Sequence, residues 1–350
     1  MAVAKRWTIM EAIKGVIIVG FFMNVKLSVQ LKSSHPLHGV VERINEEGGP
    51  YIGLLMAYPT EETVLLDCGL FVPSSNIPWV DLAGRRFNIG KIKGVDVIYV
   101  MTGEQRLNAG ITVQLLLDVF DIKGVVHYGT AGSANDSLSF GDVSVPKYVA
   151  FTGSWYWEDF DSVEGGLTEL KFGAYNFPRG GDNLLAKIEF TPEEVYYSNG
   201  KPMEEVFWLP VEPKWFNVSS QLVDLELQQC VNETYCLPET PKVVYGLRAS
   251  TADIFVDNAA YRKFLFSEFN VSTVDEESSA ILMTSITNGV PCIVFRGVSD
   301  LAGAAAGEKL ASGLVSSSSL SSLAAVNALT VAVEFIELIG SASAYSNQDH

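Results

Sequence analysis

The stretch that decides the fold is Gly124-Val-Val-His-Tyr-Gly-Thr-Ala-Gly132. Residues 124–128 form a short β-rich run, which is typical of a strand covered on both faces. The glycine-rich residues 129–132 follow directly and predict a turn at the carboxyl end of that strand. In α/β proteins this is the edge of the sheet at which ligands bind. The stretch therefore predicts either a ligand site or simply a tight turn.

Short β-rich runs of the same kind recur on both sides of this stretch, at 51–56, 95–101, 142–145, 243–247 and 292–298. Amphipathic helical patterns alternate with them over 105–121, 276–287 and 319–338. Buried strands that alternate with helices predict an α/β fold. We expect a single domain from about residue 48 to 340, with three αβα layers and a central mixed sheet.

Residues 151–240 depart from this alternation. The segment is rich in Trp and Tyr, is interrupted by Pro and is only weakly periodic, so we interpret it as an insertion in the same domain. It has room for an extra hairpin and for loops that cover a site. No change in composition marks a second domain.

The charge and composition exclude several classes of protein. The 350 residues include 24 Lys and Arg against 41 Asp and Glu, a net charge of −17, which argues against a nucleic-acid-binding surface. A hydrophobic content of 48 % is enough for a sizeable core and excludes wholesale disorder. Of the four histidines only His127 lies in the body of the chain, so we expect no metal site and no cofactor.

The first 33 residues resemble a targeting segment. Lys5 and Arg6 precede the apolar run Gly15–Met23, which has the length of a signal-peptide core and is too short to span a bilayer. An uncleaved anchor or a buried helix is the alternative. The segment predicts a signal peptide, entry into the secretory pathway, an extracellular or vacuolar protein and no membrane attachment after cleavage.

Two further features fit a secretory route. Four Asn-X-Ser/Thr sequons are present, and Asn217 and Asn232 are favoured for N-glycans because their segment is loop-like; the other two are Asn135 and Asn270. Cys230 and Cys236 are close enough in sequence to close a small loop in an oxidising compartment, or they are two unrelated thiols.

Motifs for nucleophilic, metal and nucleotide chemistry are missing: the chain has no G-x-S-x-G, P-loop, H-E-x-x-H or C-x-x-C. Carboxylates at element ends remain. Asp275, Glu276 and Glu277 precede a predicted helix and either serve a site or interact with its N-terminal dipole. Asp300 closes an apolar strand and is either an acid catalyst or an N-cap.

Seven segments in order resemble the nucleoside phosphorylase/nucleosidase superfamily over roughly residues 50–340. Within it the chain is most similar to methylthioadenosine/S-adenosylhomocysteine nucleosidases and to the plant bark and vegetative storage proteins. The segments are I-G-L-L at 52–55, T-G at 102–103, G-T-A-G at 129–132, G-D-V-S-V-P at 141–146, D-I-F-V at 253–256, V-D-E-E-S-S-A at 274–280 and F-R-G-V-S-D at 295–300.

The resemblance implies a small-molecule partner, a nucleoside, and roles for individual residues. Asp300 matches the aspartate that protonates purine N7, and Glu277 matches the glutamate that holds the ribose hydroxyls. Phe255 matches the aromatic residue that stacks on the base, with Val256 offering backbone hydrogen bonds. The remaining substrate contacts that the resemblance implies are Thr102, Gly103, Gly129, Thr130 and His127.

The resemblance also bears on the nucleophile. Glu61 falls where the hydrolases have the glutamate that activates water, unless the register slips to Glu62 or Glu61 is a solvated residue at a helix start. His127 stands where phosphorylases have one of two phosphate-binding arginines. We therefore expect a purine-type nucleoside hydrolase. A phosphate-dependent phosphorylase would need a cation near His127, for which Arg106 is the candidate.

One position departs from the nucleosidase pattern. Glu276 stands where the family has a methionine under the sugar, which brings a second carboxylate next to Glu277. The alternative function is therefore a storage protein without catalytic activity that keeps the fold. Convergence of Asp300, Glu277, Glu61 and Phe255 on one pocket would discriminate between the two. The family forms homo-oligomers of several orders, so an oligomer is a further expectation.

Overall fold

The structure is a computed structural model that describes residues 31–157, 169–171, 187–303 and 317–346. Its helices are α1 (His38–Glu47), α2 (Pro59–Asp67), α3 (Arg106–Val119), α4 (Pro213–Ser219), α5 (Ala259–Phe269), α6 (Ser278–Asn288) and α7 (Ser317–Ser346), with a 3₁₀ turn at Ser220–Leu222. Its strands are β1 (Tyr51–Met56), β2 (Phe71–Pro73), β3 (Trp79–Leu82), β4 (Arg85–Ile92), β5 (Val95–Met101), β6 (Ile122–Ser133), β7 (Val143–Phe151), β8 (Trp155–Trp157), β9 (Glu169–Lys171), β10 (Lys187–Phe190), β11 (Glu193–Val195), β12 (Glu204–Val206), β13 (Trp208–Pro210), β14 (Cys230–Asn232), β15 (Tyr235–Cys236), β16 (Val243–Thr251), β17 (Val271–Asp275) and β18 (Cys292–Leu301).

A large mixed sheet forms the centre of the molecule. Its strand order is β13-β7-β16-β17-β6-β1-β5-β4-β2, with β18 paired to both β6 and β7, and β3 paired to β4. Strands β5, β1, β6 and β18 run parallel to one another, whereas β17 meets β6 in antiparallel pairing. The carboxyl ends of the four parallel strands therefore lie together at one edge of the sheet, which is where the polar residues of the sequence motifs are.

Helices flank the sheet in two groups. Helix α7 packs on β18 and β6 and contacts α2 and α4, while α3 packs against α6. The strands between them are buried on both faces: β1 has six buried residues in succession, and β18 has seven. The predicted α/β fold with a central mixed sheet is confirmed. The predicted strands are continuously apolar in sequence because both of their faces are buried.

The predicted strands are confirmed, with one correction. The runs at 51–56 and 95–101 coincide with β1 and β5, and those at 243–247 and 292–298 begin β16 and β18. The runs at 124–128 and 142–145 match the starts of β6 and β7 to within two residues. Residues 129–132, predicted as a turn, instead continue β6 to Ser133. The reason is that β18 pairs with β6 as far as Leu301, opposite Ser133, so the backbone of the glycine-rich segment is held in a ladder.

Besides β13, which pairs with β7 in the main sheet, the strands that begin within the described part of the 151–240 segment form small antiparallel units. They are the three-stranded sheet β8-β10-β9 and the hairpins β11-β12 and β14-β15. A disulfide joins Cys230 to Cys236 across the β14-β15 hairpin, so the two cysteines are a pair. Asn232 lies exposed within that hairpin, and Asn217 is exposed on α4.

Candidate functional site

A cavity of about 640 Å³ opens at the carboxyl ends of the parallel strands. Residues in the last part of β6, β17 and β18, or just after β1, β17 and β18, line it, together with the loop between β16 and α5. Seven residues predicted from the sequence lie in its wall: Glu61, Thr130, Phe255, Val256, Glu276, Glu277 and Asp300. These seven include the four residues whose convergence on one pocket was expected of an enzyme: Asp300, Glu277, Glu61 and Phe255.

Asp300 reaches the cavity because of the register of β18 on β6. The pairing shifts between Val298 and Asp300, so that Asp300 lies opposite Gly132. This irregularity leaves Ser299 out of the ladder, and both Ser299 and Asp300 line the cavity. Ser299 Oγ donates to Asp300 Oδ1 at 2.7 Å, which fixes the orientation of the carboxyl group.

Glu61 lies in the first turn of α2 with only 2 % of its surface exposed. Its Oε2 accepts from the backbone N–H of Ala57 at 2.9 Å and of Tyr58 at 3.1 Å. Its Oε1 accepts from the N–H of Thr130 at 2.7 Å and from Thr130 Oγ1 at 3.2 Å. The alternative of a solvated Glu61 is therefore wrong. Within the cavity wall that the structure describes, Glu61 is present and Glu62 is not.

Gly129 lets two charged side chains approach the end of β6. A Cβ atom at this position would lie 2.6 Å from Glu61 Oε1 and closer still to Nη1 of Arg296. Neither neighbour is free to move, because both are buried and hydrogen-bonded. The glycine is therefore required by close packing around the carboxylate, and not by a turn.

Arg296 is buried beneath the cavity, with 1 % of its side chain exposed, and joins three strand ends. Its Nε lies 3.0 Å from Asp275 Oδ2, its Nη2 lies 3.2 Å from Glu277 Oε2, and its Nη1 donates to the carbonyl oxygen of Thr130 at 3.4 Å. A fully desolvated guanidinium requires such partners, because an unpaired buried charge is strongly destabilising. The network fixes Glu277 relative to β6 and β18.

Two carboxylates that contact Arg296 titrate differently. Burial opposes ionisation of Asp275, but Arg296 and the hydroxyls of Ser278 and Thr251 outweigh it and lower the pKa of Asp275. Burial raises the pKa of Glu277 to about 7, although Arg296 and the N–H of Gln105 favour its ionised form. Glu277 is thus the carboxyl group of this network that exchanges a proton near neutral pH.

His127 lies on β6 under the cavity and is completely buried. Its Nδ1 donates to the carbonyl oxygen of Leu55 at 3.1 Å, so its Nε2 is the acceptor for Arg296 Nη2. Burial and the Arg296 charge lower the pKa of His127 to about 3, so the ring is neutral. Four predicted substrate contacts are absent from the described cavity wall: His127, Thr102, Gly103 and Gly129.

The residues at the mouth of the cavity differ in exposure. Phe255 is 79 % exposed on the loop between β16 and α5, whereas its neighbour Val256 is buried. Glu276 is partly exposed, and its pKa is raised by burial and then by the charges of Glu104, Asp253 and Asp275. An exposed aromatic ring beside a cavity is the kind of group that a planar ligand can cover.

The cavity wall is acidic. Among the residues that the structure describes, its lining includes six carboxylates and no Lys, Arg or His; the six are Glu61, Glu104, Asp275, Glu276, Glu277 and Asp300. Arg106, the candidate for a phosphate contact, pairs with Glu193 and lies with its guanidinium carbon 3.3 Å from the ring centre of Phe151. The arrangement favours a ligand that is neutral or gains positive charge.

Sequence reasoning missed Arg296 and Glu104 as parts of the site, and it left open whether Asp275 serves a site or a helix dipole. Arg296 lies in the F-R-G-V-S-D segment and Asp275 in V-D-E-E-S-S-A, so both were inside quoted motifs. A buried strand that contains an arginine is itself a signal, because such a charge requires a carboxylate partner elsewhere in the fold. The identity of that partner depends on strand order, which the sequence does not display.

These features define an α/β protein with a ligand cavity at the carboxyl ends of its strands. The family model described as "Phosphorylase superfamily" matches residues 51–337, so the chain belongs to that superfamily. Bark storage protein A of Populus deltoides is 40 % identical over 290 residues, which cover 82 % of this chain and 88 % of the relative.

More distant relatives are enzymes by name. The 5′-methylthioadenosine/S-adenosylhomocysteine nucleosidase of Treponema pallidum is 24 % identical over 223 residues, 63 % of this chain and 72 % of the relative. The crystal structure of the nucleosidase of that name from Helicobacter pylori, with butyl-thio-DADMe-Immucillin-A, has a TM-score of 0.54 at 19 % identity. It covers 82 % of this chain and 97 % of its own, and it supports the fold alone.

Proposed function

We propose that the protein is a purine-type nucleoside N-ribosyl hydrolase that cleaves the N-glycosidic bond. The observation that carries the proposal is the presence of Asp300, Glu277, Glu61 and Phe255 in the wall of one cavity. An acid for the leaving group, an acceptor for the sugar, a base for water and an aromatic ring for the purine are the groups this reaction needs.

In the proposed reaction the purine lies against Phe255, and the carboxylic acid of Asp300 gives a proton to purine N7. The bond between sugar C1′ and purine N9 then breaks, and its electron pair stays with the base. Positive charge develops on the ribose ring, and ionised Glu277 stabilises that charge while it accepts hydrogen bonds from the sugar hydroxyls. The other carboxylates of the wall act in the same direction through the local field.

Water completes the reaction by adding to C1′, and Glu61 takes the proton that water loses. Free ribose and free base are the products. Both oxygens of Glu61 already accept two hydrogen bonds each, which is the capacity of a carboxylate. The hydroxyl of Thr130 makes the longest of these contacts, at 3.2 Å, and we propose that it gives way to the attacking water.

The test is a panel of purine nucleosides, including adenosine, inosine and 5′-methylthioadenosine, incubated with and without phosphate. Chromatography of base and sugar products distinguishes the outcomes. Release of free ribose that does not depend on phosphate supports the hydrolase. A requirement for phosphate with release of ribose 1-phosphate would establish a phosphorylase instead, although neutral His127 and the paired Arg106 give that anion no cation in the described wall.

The second candidate is a storage protein without catalytic activity. It is favoured by the 40 % identity to bark storage protein A over 82 % of this chain, together with the carboxylate of Glu276 under the sugar position. Under this proposal no nucleoside in the panel is cleaved with or without phosphate. Replacement of Glu276 by Met then tests whether this one carboxylate suppresses activity.

We further propose that residues 1–33, of which 1–30 lie outside the described residues, are a signal peptide and that the mature protein is secreted or vacuolar. The bark storage relatives are plant proteins, which is compatible with such a location. The family domain is proposed to span 48–340. Mass spectrometry of the natural protein tests this: a mature N-terminus near residues 25–34 and N-glycans at Asn217 or Asn232 are expected, whereas an unprocessed, unmodified chain would contradict it.

A further inference from the structure

Arg106 lies at the start of α3, beside the cavity but outside its wall, and is held by three groups. Its Nε donates to Ser279 Oγ at 3.2 Å, its Nη2 pairs with Glu193, and its guanidinium carbon lies 3.3 Å from the ring centre of Phe151. Arg106 and Glu193 are both largely buried. Because Glu193 begins β11, this contact ties the 151–240 segment to the edge of the cavity.

The residue before Arg106 has an unusual backbone conformation. Gln105 has φ +74° and ψ 157°, a region that is essentially restricted to glycine. In this conformation its N–H donates to Glu277 Oε1 at 3.1 Å. A strained residue keeps such a conformation only when its surroundings hold it there. The N–H of Arg106 is also fixed, since it donates to Asp253 Oδ1 at 3.0 Å.

We propose that Arg106 is a positioning residue, which holds Gln105 in this conformation and thereby directs the Gln105 N–H toward Glu277. Glu193 is the counter-ion of Arg106, and the pair Arg106–Glu193 is called the clamp below. The inference rests on the proposed function in giving Glu277 a ribose-binding role. It assigns Arg106 to the sugar side of the site, and not to a phosphate.

The electrostatics around Glu277 define what loss of the clamp should do. Among the described residues, the groups that act on the charge of Glu277 include Arg296 from β18, Asp275 from β17, Glu61 from α2 and the backbone N–H of Gln105. Of these, Arg296 and the Gln105 N–H favour the ionised carboxylate, and the two carboxylates oppose it. Without the clamp Gln105 adopts an ordinary backbone conformation, and its N–H no longer donates to Glu277. Glu277 is then harder to ionise and binds the sugar less well.

Four substitutions distinguish the effect of the clamp from a general loss of stability. Arg106→Met removes the guanidinium and keeps much of the side-chain length, while Arg106→Lys keeps the charge. Arg86→Met is the matched control, because Arg86 also pairs with a carboxylate, Asp81, and lies 5.4 Å from the ring centre of Trp79, but on the exposed surface. In a double variant with Arg106→Met, Gln105→Gly removes the steric reason for the backbone to relax.

Hydrogen exchange measured by mass spectrometry tests the clamp without reference to activity. Faster exchange of the peptide around 101–109 in Arg106→Met and Glu193→Gln, but not in Arg86→Met, supports the proposal. Unchanged exchange in the two clamp variants overturns it. Thermal unfolding of each variant is measured in parallel, so that a peptide loosened by global destabilisation is recognised.

Kinetics with 5′-methylthioadenosine test the role of the clamp in the reaction. For Arg106→Met we expect kcat/KM to fall about 10- to 100-fold and the acidic limb of its pH profile to move up by about one unit, because a hydrogen bond to the carboxylate is lost. Partial recovery is expected in Arg106→Lys and in the double variant. A uniform loss of kcat/KM with an unmoved pH profile and no recovery overturns the positioning role. If wild type cleaves no nucleoside, the proposed function fails, and the exchange data alone decide on the clamp.

Discussion

Arg296 donates from Nη2 to Oε2 of Glu277 at 3.2 Å, and both side chains are buried. This single guanidinium also contacts Asp275, and the charge of Glu61 acts on it as well. Burial raises the pKa of Glu277, and the charge of Arg296, which Glu277 shares with Asp275, does not offset this effect. Because Glu277 lies in the cavity wall, its titration has a consequence for the proposed function.

The first prediction concerns pH. Because burial raises the pKa of Glu277 to about 7 and the proposed reaction needs the ionised form, kcat/KM should rise with pH through about 7. Measurement of kcat/KM from pH 5 to 9 in wild type and Glu277→Gln checks this. The variant should lose most activity, and its residual kcat/KM should not rise with pH through about 7. A wild-type profile that is flat across this range would contradict the assignment.

The same group affects stability. The folded pKa of Glu277 is raised above the ordinary value of 4.5, so the folded state binds more protons than the unfolded state between those two values. Stability is therefore lost as pH rises from 4.5 to about 7, by at most about 1.4 kcal/mol per pH unit. Urea unfolding at pH 5 and 8 should show a smaller decrease for Glu277→Gln than for wild type.

The second prediction concerns Asp300. Asp300→Asn should lower kcat by about 10²–10⁴-fold, because the amide still forms hydrogen bonds but cannot deliver a proton. The fold should survive, since the side chain is partly exposed and, among the described residues, its hydrogen bond is to the neighbouring Ser299. Steady-state kinetics and circular dichroism of the same preparation check both statements. Near-wild-type turnover in Asp300→Asn would eliminate Asp300 as the acid.

The third prediction concerns Glu61. Glu61→Gln should slow hydrolysis strongly, because a carboxamide cannot accept the proton of the attacking water. Added phosphate should not restore cleavage, since the described wall of the cavity offers the anion no cationic side chain. Glu62→Gln is the matched control, one residue along α2 and outside the described wall. If the two variants lose activity equally, the assignment of the base is wrong.

The fourth prediction concerns Gly129. Gly129→Ala should reduce both stability and activity, because the added methyl group would displace Glu61 and Arg296 together. We expect a loss of about 1–3 kcal/mol in the free energy of unfolding, as for other overpacked interiors. Gly39→Ala is the control, as no atom lies within 4 Å of its added Cβ. Denaturant unfolding of the two variants measures the difference.

Much of the fold follows from local pattern. The strand at 51–56 coincides with the observed β1, because a run buried on both faces is apolar throughout. The segment 129–132 was misjudged because two glycines in four residues favour a turn, whereas pairing with β18 keeps them extended. That pairing joins residues almost 170 positions apart in sequence, as in Arg296 and Gly129, and local pattern does not reveal it.

The sequence predicted the residues that line the cavity individually. It did not predict the roles that depend on contacts between residues far apart in the chain. Asp300, Glu277 and Glu61 lie in the cavity wall as expected. The role of Arg106 could not be predicted, because its partner Glu193 belongs to a weakly periodic segment and the conformation of Gln105 is visible only in three dimensions. The neutral state of His127 likewise depends on its burial beside Arg296.

Helix α7 has a consequence for how the molecule is made. Its segment Ser318–Ser341 is long and apolar enough to cross a membrane by length and composition, yet 67 % of the most apolar window is buried within the protein. The helix covers β6 and β18, and it follows both of them in the chain. During synthesis these strands therefore expose an apolar face until α7 has been made, and exposed apolar surface of this kind favours aggregation.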